Sequence, residues 1–399
     1  MKVNKWTMAL AAGGVVSLGS IVQAEEAQHQ VLTALSQTTL SGYVDTSAIW
    51  KLGTGNTLPG RAYDGAGKLD GFNLNVVKLS LEKALDEAQW AAGYKVDLLF
   101  GPDAVTYQAP AIFNSGSSFG SGGDDFAIQN AFVELRAPIG NGIDLKVGAF
   151  ESPLGYEAFD SGKNPNYSRS FGYILGPKQH TGVLASYQLA DSLSIYGGVA
   201  NTHTGAINSR PRGAESEKTY LGGITLSAPE SLGFLSGSTL YAGIVDGLAN
   251  VQNDTTSVYV GATIPTPMEG LSIGAAWDYR FDGFNLVTPA TGNKSNWASA
   301  IAGYVSYQAT EKLKLNDRFD YVTGSDGTLG LDLGRVNSSD KQPEIMSNTV
   351  TVDYSLWDNV ISRAEFRWDH SLTGDKLYGR GAGDQKNAFT LAANIIYKF

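Results

Sequence analysis

The sequence predicts an all-β fold, a transmembrane antiparallel β-barrel of about sixteen strands with short periplasmic turns and long outer loops. Three observations carry this expectation. Segments of alternating polar and apolar residues recur at the roughly 9 to 11 residues a tilted strand needs to cross a bilayer. The connectors between them alternate between short and long. The chain stops on Tyr397-Lys398-Phe399, with apolar residues at every second position before it.

The N-terminus comes first. Lys2 and Lys5 precede an apolar stretch from Met8 to Val22 and then Val22-Gln23-Ala24, which reads as a secretory signal over 1–24 with a small-residue cleavage site. The stretch holds Gly13, Gly14, Ser17, Gly19 and Ser20 and is short for a spanning helix. Residues 25–37 read as a short periplasmic segment in which Val31, Leu32 and Leu35 suggest a helix, and 38–399 as the barrel. Without Lys2 and Lys5, the 29 basic residues fall to 27 against 39 acidic ones, a net charge near −12. That balance argues against nucleic acid as a partner. A chain with no cysteine has no disulfide framework, no thiolate nucleophile and no cysteine-held metal, and no cofactor is expected.

Sixteen alternating segments follow, at 39–51, 73–83, 89–100, 127–137, 142–151, 181–190, 193–202, 217–228, 237–246, 255–264, 271–282, 296–308, 312–323, 346–357, 359–370 and 387–399. The last one puts Phe389, Leu391, Ala393, Ile395, Tyr397 and Phe399 on the face expected to meet lipid. In 359–370, Val360, Ala364, Phe366 and Trp368 oppose Arg363, Glu365, Arg367 and Asp369. A water-soluble sandwich alternates in the same way, so the connectors decide. Short ones, such as Asp86-Glu87, Asp191-Ser192 and Asp358, alternate with long ones at 52–72, 101–126, 152–180, 203–216, 283–295, 324–345 and 371–386. One further outer connector, 247–254, is itself short. Seven turns and eight loops place both termini on the periplasmic side. Trp50, Trp90, Tyr94, Trp277, Tyr279, Trp357, Trp368 and Tyr397 read as interfacial anchors.

The stretch Gly148 to Tyr187 contains Gly155-Tyr156-Glu157, Asn166-Tyr167-Ser168-Arg169-Ser170 and His180-Thr181-Gly182-Val183. With the opening Thr39-Leu40-Ser41-Gly42-Tyr43-Val44-Asp45 and the run Gly71-Phe72-Asn73-Leu74-Asn75, it resembles the OmpL-like, or porin-2, family of β-barrel porins. The resemblance implies an outer-membrane porin for passive diffusion of small polar or ionic solutes, and no particular substrate. The ending on Tyr397 and Phe399, with apolar residues at every second position before it, resembles the C-terminal signal that the barrel assembly machinery reads. Outer-membrane lipid is the other expected partner, and a homotrimer is an expected assembly because many sixteen-stranded porins are trimers.

Connector 152–180 is the third long loop, the one that folds inward in general porins, so Glu157, Asp160, Lys163 and Arg169 are constriction candidates by analogy of position. Lys312, Lys314, Arg318, Arg363, Glu365 and Arg367 are their pore-lining counterparts, because rings of charge across a narrow aqueous path bias which ions enter. The basic majority in this set leans the reading toward anions, while the blander alternative is mutual ion pairing. An outer-membrane hydrolase fits poorly. None of His29, His180, His203 or His370 has a serine two residues on, and Asp124-Asp125 and Asp369-His370 are adjacent, so each pair points to opposite faces. Asp326-Gly327 lacks the alternating acids of a calcium loop, and Gly379-Arg380-Gly381-Ala382-Gly383 opens no helix. A plugged barrel acting as adhesin or anchor is the remaining alternative. The connector pattern makes a prediction: protease applied to intact cells nicks 324–345 and 371–386 and spares Asp191-Ser192, whereas cleavage at the short turns would invert the topology.

Overall fold

The computed structural model describes residues 38–53, 61–107, 125–203, 207–211, 214–249, 253–282, 296–325, 344–374, 376–379 and 384–399. The expected signal at 1–24, the segment 25–37, Asp326-Gly327 and most of the glycine-rich run at 379–383 lie outside these residues. The strands are β1 (Thr39–Leu52), β2 (Gly71–Lys83), β3 (Ala92–Phe100), β4 (Phe126–Ala137), β5 (Ile143–Glu151), β6 (Gln179–Ala190), β7 (Leu193–Ala200) and β8 (Thr219–Ser227). They continue as β9 (Thr239–Ala249), β10 (Asn253–Pro265), β11 (Leu271–Asp282), β12 (Asn296–Gln308), β13 (Leu313–Gly324), β14 (Glu344–Tyr354), β15 (Val360–Ser371) and β16 (Asn387–Lys398). Each pairs antiparallel with its sequence neighbours, and β1 pairs with β16, so the sheet is a closed barrel of sixteen strands.

The side-chain period of two explains how this sequence satisfies both solvents. On β16, Leu391, Ala393, Ile395 and Tyr397 point out while Thr390, Ala392, Asn394 and Ile396 are buried inside. On β15, Phe366 is 41% exposed, while Arg363, Glu365, Arg367 and Asp369 are buried in the lumen. The same inversion recurs around the wall, with Val133, Val147, Ile224, Ile244, Ile301, Phe319 and Val350 exposed. In water such a continuous apolar belt would be an aggregation surface, and in a bilayer it is the lipid-facing band.

Most strand ends lie within three residues of the expectation, and at the two that fall short by three, turn geometry is the reason. β3 begins at Ala92 rather than 89, because Trp90 takes a positive φ of 61° in the turn from β2. β14 ends at Tyr354 rather than 357, because the Val360 amide donates to the Trp357 carbonyl at 3.2 Å and Asn359 supplies the left-handed residue (φ 61°). Both tryptophans therefore sit exposed at the short-turn rim, and not in the wall.

The barrel closes where its ends meet. The Gly42 amide donates to the Phe399 carbonyl at 2.8 Å, and the Phe399 amide donates back to Gly42 at 3.0 Å. A Cβ at Gly42 would lie 2.1 Å from the Lys78 carbonyl oxygen and 2.8 Å from the tip of the Phe399 ring. Phe399, expected to face lipid with Tyr397, is thus half-buried over a glycine that has no side chain to cover the seam, an aromatic-on-glycine device. Accordingly, Gly42→Leu and Phe399→Asp each lower the amount of heat-modifiable folded barrel in the outer membrane, read by semi-native electrophoresis. Export across the inner membrane is unaffected.

Candidate functional site

Between β5 and β6 the chain turns into the lumen. The Ser152 amide donates to the Lys178 carbonyl at 3.0 Å, so the two legs of the loop leave the wall side by side. The first leg carries Leu154 and Tyr156 into a cluster with Phe132, Phe150, Leu184 and Tyr259, and Tyr156 stacks on Tyr304 of β12 with centroids 4.1 Å apart. A single helical turn, α1 (Phe171–Leu175), packs against β11, β12 and β13. The Ser170 hydroxyl caps it by accepting from the Tyr173 amide.

Side chains hold the rest of the loop, since its backbone has no ladder to join. Glu157 is fully buried. Its carboxylate accepts from Arg318 Nη1 at 3.0 Å, the Tyr304 hydroxyl at 3.2 Å and the Ser170 amide at 2.7 Å. Asp160 accepts from Lys78 Nζ at 3.0 Å, Lys163 Nζ at 2.9 Å and the Tyr43 hydroxyl at 3.0 Å. Glu365 of β15 accepts from the amides of Tyr167 at 2.6 Å and Ser168 at 3.0 Å. Arg363 donates to the carbonyls of Ser161 and Asn164, both at 2.8 Å, and pairs with Asp353. Arg169 folds back on its own loop, bonding the carbonyls of Ala158, Phe159 and Tyr167.

A second inward segment lies over the first. Arg61, in the connector from β1, donates to the Arg169 carbonyl at 3.0 Å, pairs with Asp320 and Asp369, and lays its guanidinium 3.8 Å from the Phe171 ring centroid. Asp64 pairs with Arg367. Nothing in the sequence marks Arg61 or Asp64, which sit in an aperiodic connector and take their role from residues hundreds of positions away.

The expected site residues therefore divide. Glu157, Asp160 and Lys163 line a cavity of about 1860 Å³, open mouth included, that runs along β2 to β8 beside the loop. Arg318, Glu365, Arg367 and Arg169 do not line it; each is buried against the loop or the Arg61 segment. Lys312, Lys314, Lys163 and Arg363 border a smaller space of about 700 Å³ at the short-turn end. The arginines of β13 and β15, Arg318, Arg363 and Arg367, are thus neutralised by Glu157, Asp320, Asp353, Asp64 and Asp369. The cause is that a buried charge is tolerated only when paired. In the larger cavity six basic residues, Lys78, Lys95, Arg136, Lys146, Lys163 and Lys178, face seven acidic ones.

Burial alone would raise the pKa of Asp160, but the ammonium groups of Lys163 and Lys78 outweigh it and hold the carboxyl below the usual range. A folded-state pKa below the unfolded one adds stability above about pH 3.9, lost only as pH falls through the folded value, so this anchor stays charged from pH 7 down to about 5.

The chain is similar in structure to the outer membrane channel DcaP of Acinetobacter baumannii, with a TM-score of 0.59 at 13% identity, covering 93% of this chain and 100% of that one. An anion-selective porin from Comamonas acidovorans gives 0.56 at 10% identity, with 91% and 99% covered. OmpT of Vibrio cholerae in a trimer form gives 0.51 at 12%, with 91% and 99% covered. A comparison with curated proteins finds no match. The family described as "Putative beta-barrel porin-2, OmpL-like" matches residues 37–399. The chain belongs to that family, and it is an outer-membrane porin through which small solutes diffuse passively.

The anchors generate a prediction. Glu157→Ala leaves Arg318 buried without its partner and destabilises the folded barrel by about 3–5 kcal/mol, measured by urea unfolding in detergent micelles. Glu157→Gln, which keeps acceptors for Tyr304 and Ser170, loses less.

Proposed function

We propose that the loop from Ser152 to Lys178 is the constriction of this porin, and that solutes pass beside it along the β2 to β8 wall. The observation that carries this reading is the loop's position inside the barrel. It is clamped to β1, β2, β12, β13 and β15, with open volume left on the β2 to β8 side. That volume argues against the plugged adhesin or anchor. Its near balance of charge favours weak ionic preference over the anion preference suggested by the basic residues of β13 and β15. The protein is read as having no catalytic role. A homotrimer is its proposed assembly, and the assembly machinery its proposed handler through Tyr397 and Phe399.

Planar-bilayer recording of the purified full-length protein tests the constriction. Deleting Lys163 to Tyr167, the part of the loop that reaches across to Thr351 and Glu365, raises single-channel conductance, and the reversal potential of the wild type in a potassium chloride gradient lies close to zero. Unchanged conductance in the deletion would make the loop something other than the narrowest point. A strongly displaced reversal potential would restore a selective filter.

A further inference from the structure

The geometry points to zwitterionic solutes with an apolar body, such as aliphatic α-amino acids, as the class this channel accommodates best. The inference rests on the reading of the β2 to β8 cavity as the solute path. Its carrying feature is the arrangement of charge on the wall, which a tally of residues does not reveal.

Each of four consecutive strands presents charges of both signs to the cavity: Lys78 and Glu82 on β2, Lys95 and Asp97 on β3, Glu134 and Arg136 on β4, and Asp144, Lys146 and Glu151 on β5. The register sets opposite signs side by side, with Glu82 across from Lys95, Glu134 across from Lys146, and Arg136 across from Asp144. Sign therefore alternates along each of these strands and across the β2–β3 and β4–β5 pairs, while at the β3–β4 seam Asp97 faces Asn130 and Lys95 faces Phe132. Its lower pairs are also accessible. Lys95 and Glu82 meet at 2.8 Å with side chains 29% and 33% exposed, and Lys146 and Glu134 stand 3.5 Å apart at 19% and 16%. Next to these charges, Phe132 lies beneath the Lys146 ammonium, 4.9 Å from nitrogen to ring centroid, and Phe150, Leu154, Leu184 and Tyr196 continue the apolar surface.

Alternating charges cancel beyond their own spacing, so a single ion approaching this wall meets attraction and repulsion of similar size. A molecule with an ammonium and a carboxylate fixed a few ångströms apart meets attraction at both ends, its ammonium toward Glu134 and its carboxylate toward Lys146. Contacts this short lie well inside the screening length of about 10 Å at 0.1 M salt. The apolar body then covers the partly exposed ring of Tyr196 and the edges of Phe132 and Leu184, which adds to retention.

Block of single-channel current in 0.1 M potassium chloride tests the idea with leucine and its two single-charge truncations, 4-methylpentanoate and 3-methylbutylamine. Leucine blocks at concentrations roughly fivefold lower than either, the worth of one additional exposed ion pair, and serine, with the same charges and no apolar body, blocks more weakly than leucine. The paired variant Glu134→Gln with Lys146→Met, which keeps the net charge of the lumen, brings leucine down to the level of its truncations. Glu134→Gln with Lys146→Gln removes the same two charges and serves if the first variant fails to fold. A conducting wild type blocked equally by leucine and 4-methylpentanoate, or a leucine preference that survives in a folded paired variant, would overturn the inference and leave the channel reading standing. A folded wild type that passes no current would overturn both.

Discussion

Hydrocarbon offers no partner to a backbone N–H or C=O, and the architecture follows from that one constraint. A sheet in lipid must close, and here the β1 to β16 ladder closes it, extended at its end by two reciprocal bonds between Gly42 and Phe399 at 2.8 and 3.0 Å. Once closed, each strand has one face in lipid and one in water. The apolar residues are then committed outward, so the interior must be organised by hydrogen bonds and ion pairs. The lumen accordingly holds buried arginines such as Arg318 and Arg367 where a soluble protein would hold leucines.

Charge does in this lumen what apolar packing does in an ordinary core. An isolated buried ion is heavily penalised, and a pair with well-placed donors offsets that penalty. Each buried arginine on β13 and β15 meets a carboxylate as well as loop atoms: Arg318 meets Glu157 and Asp320, Arg363 meets Asp353, Arg367 meets Asp64 and Asp369. A clamp of this kind is directional, so it fixes the conformation of a loop that has no strand to pair with. It also fills one side of the barrel and leaves the β2 to β8 side open, an asymmetry that a bare strand count does not contain.

The wall was readable from residue order because a period of two is imposed by the backbone itself. Phe366 and Arg363 announce opposite faces wherever β15 begins. Turn chemistry was less readable. Trp90 and Trp357 look like strand residues and sit in turns, because left-handed positions at Trp90 and Asn359 end the ladder earlier than the apolar pattern does. Least readable were the partners inside. Arg363 and Arg367 share a face with Glu365, but nothing local states that their guanidinium groups point at Ser161, Asn164 and Asp64 rather than at passing ions. The cross-lumen distances are set by barrel closure, so those pairings exist only once all sixteen strands are in place. The charges of β2 to β5 face inward by the same period of two, whereas their alternation across strands depends on register.

The two legs of the inward loop leave the wall side by side, joined by the bond from Ser152 to the Lys178 carbonyl. Mechanically the loop is a pendant hung from one point on the rim, and the barrel's own ladder runs past that point intact. The pendant and the frame are therefore separable in principle, since the pendant's length and contents can change without disturbing the strand order. What restrains such change lies at the far end, where Glu157, Asp160 and the Tyr167 and Ser168 amides are gripped by Arg318, Lys78 and Glu365 on three other strands. A substitution in the pendant is thus felt on the opposite wall, and the shape of the proposed constriction is a joint property of segments distant in sequence.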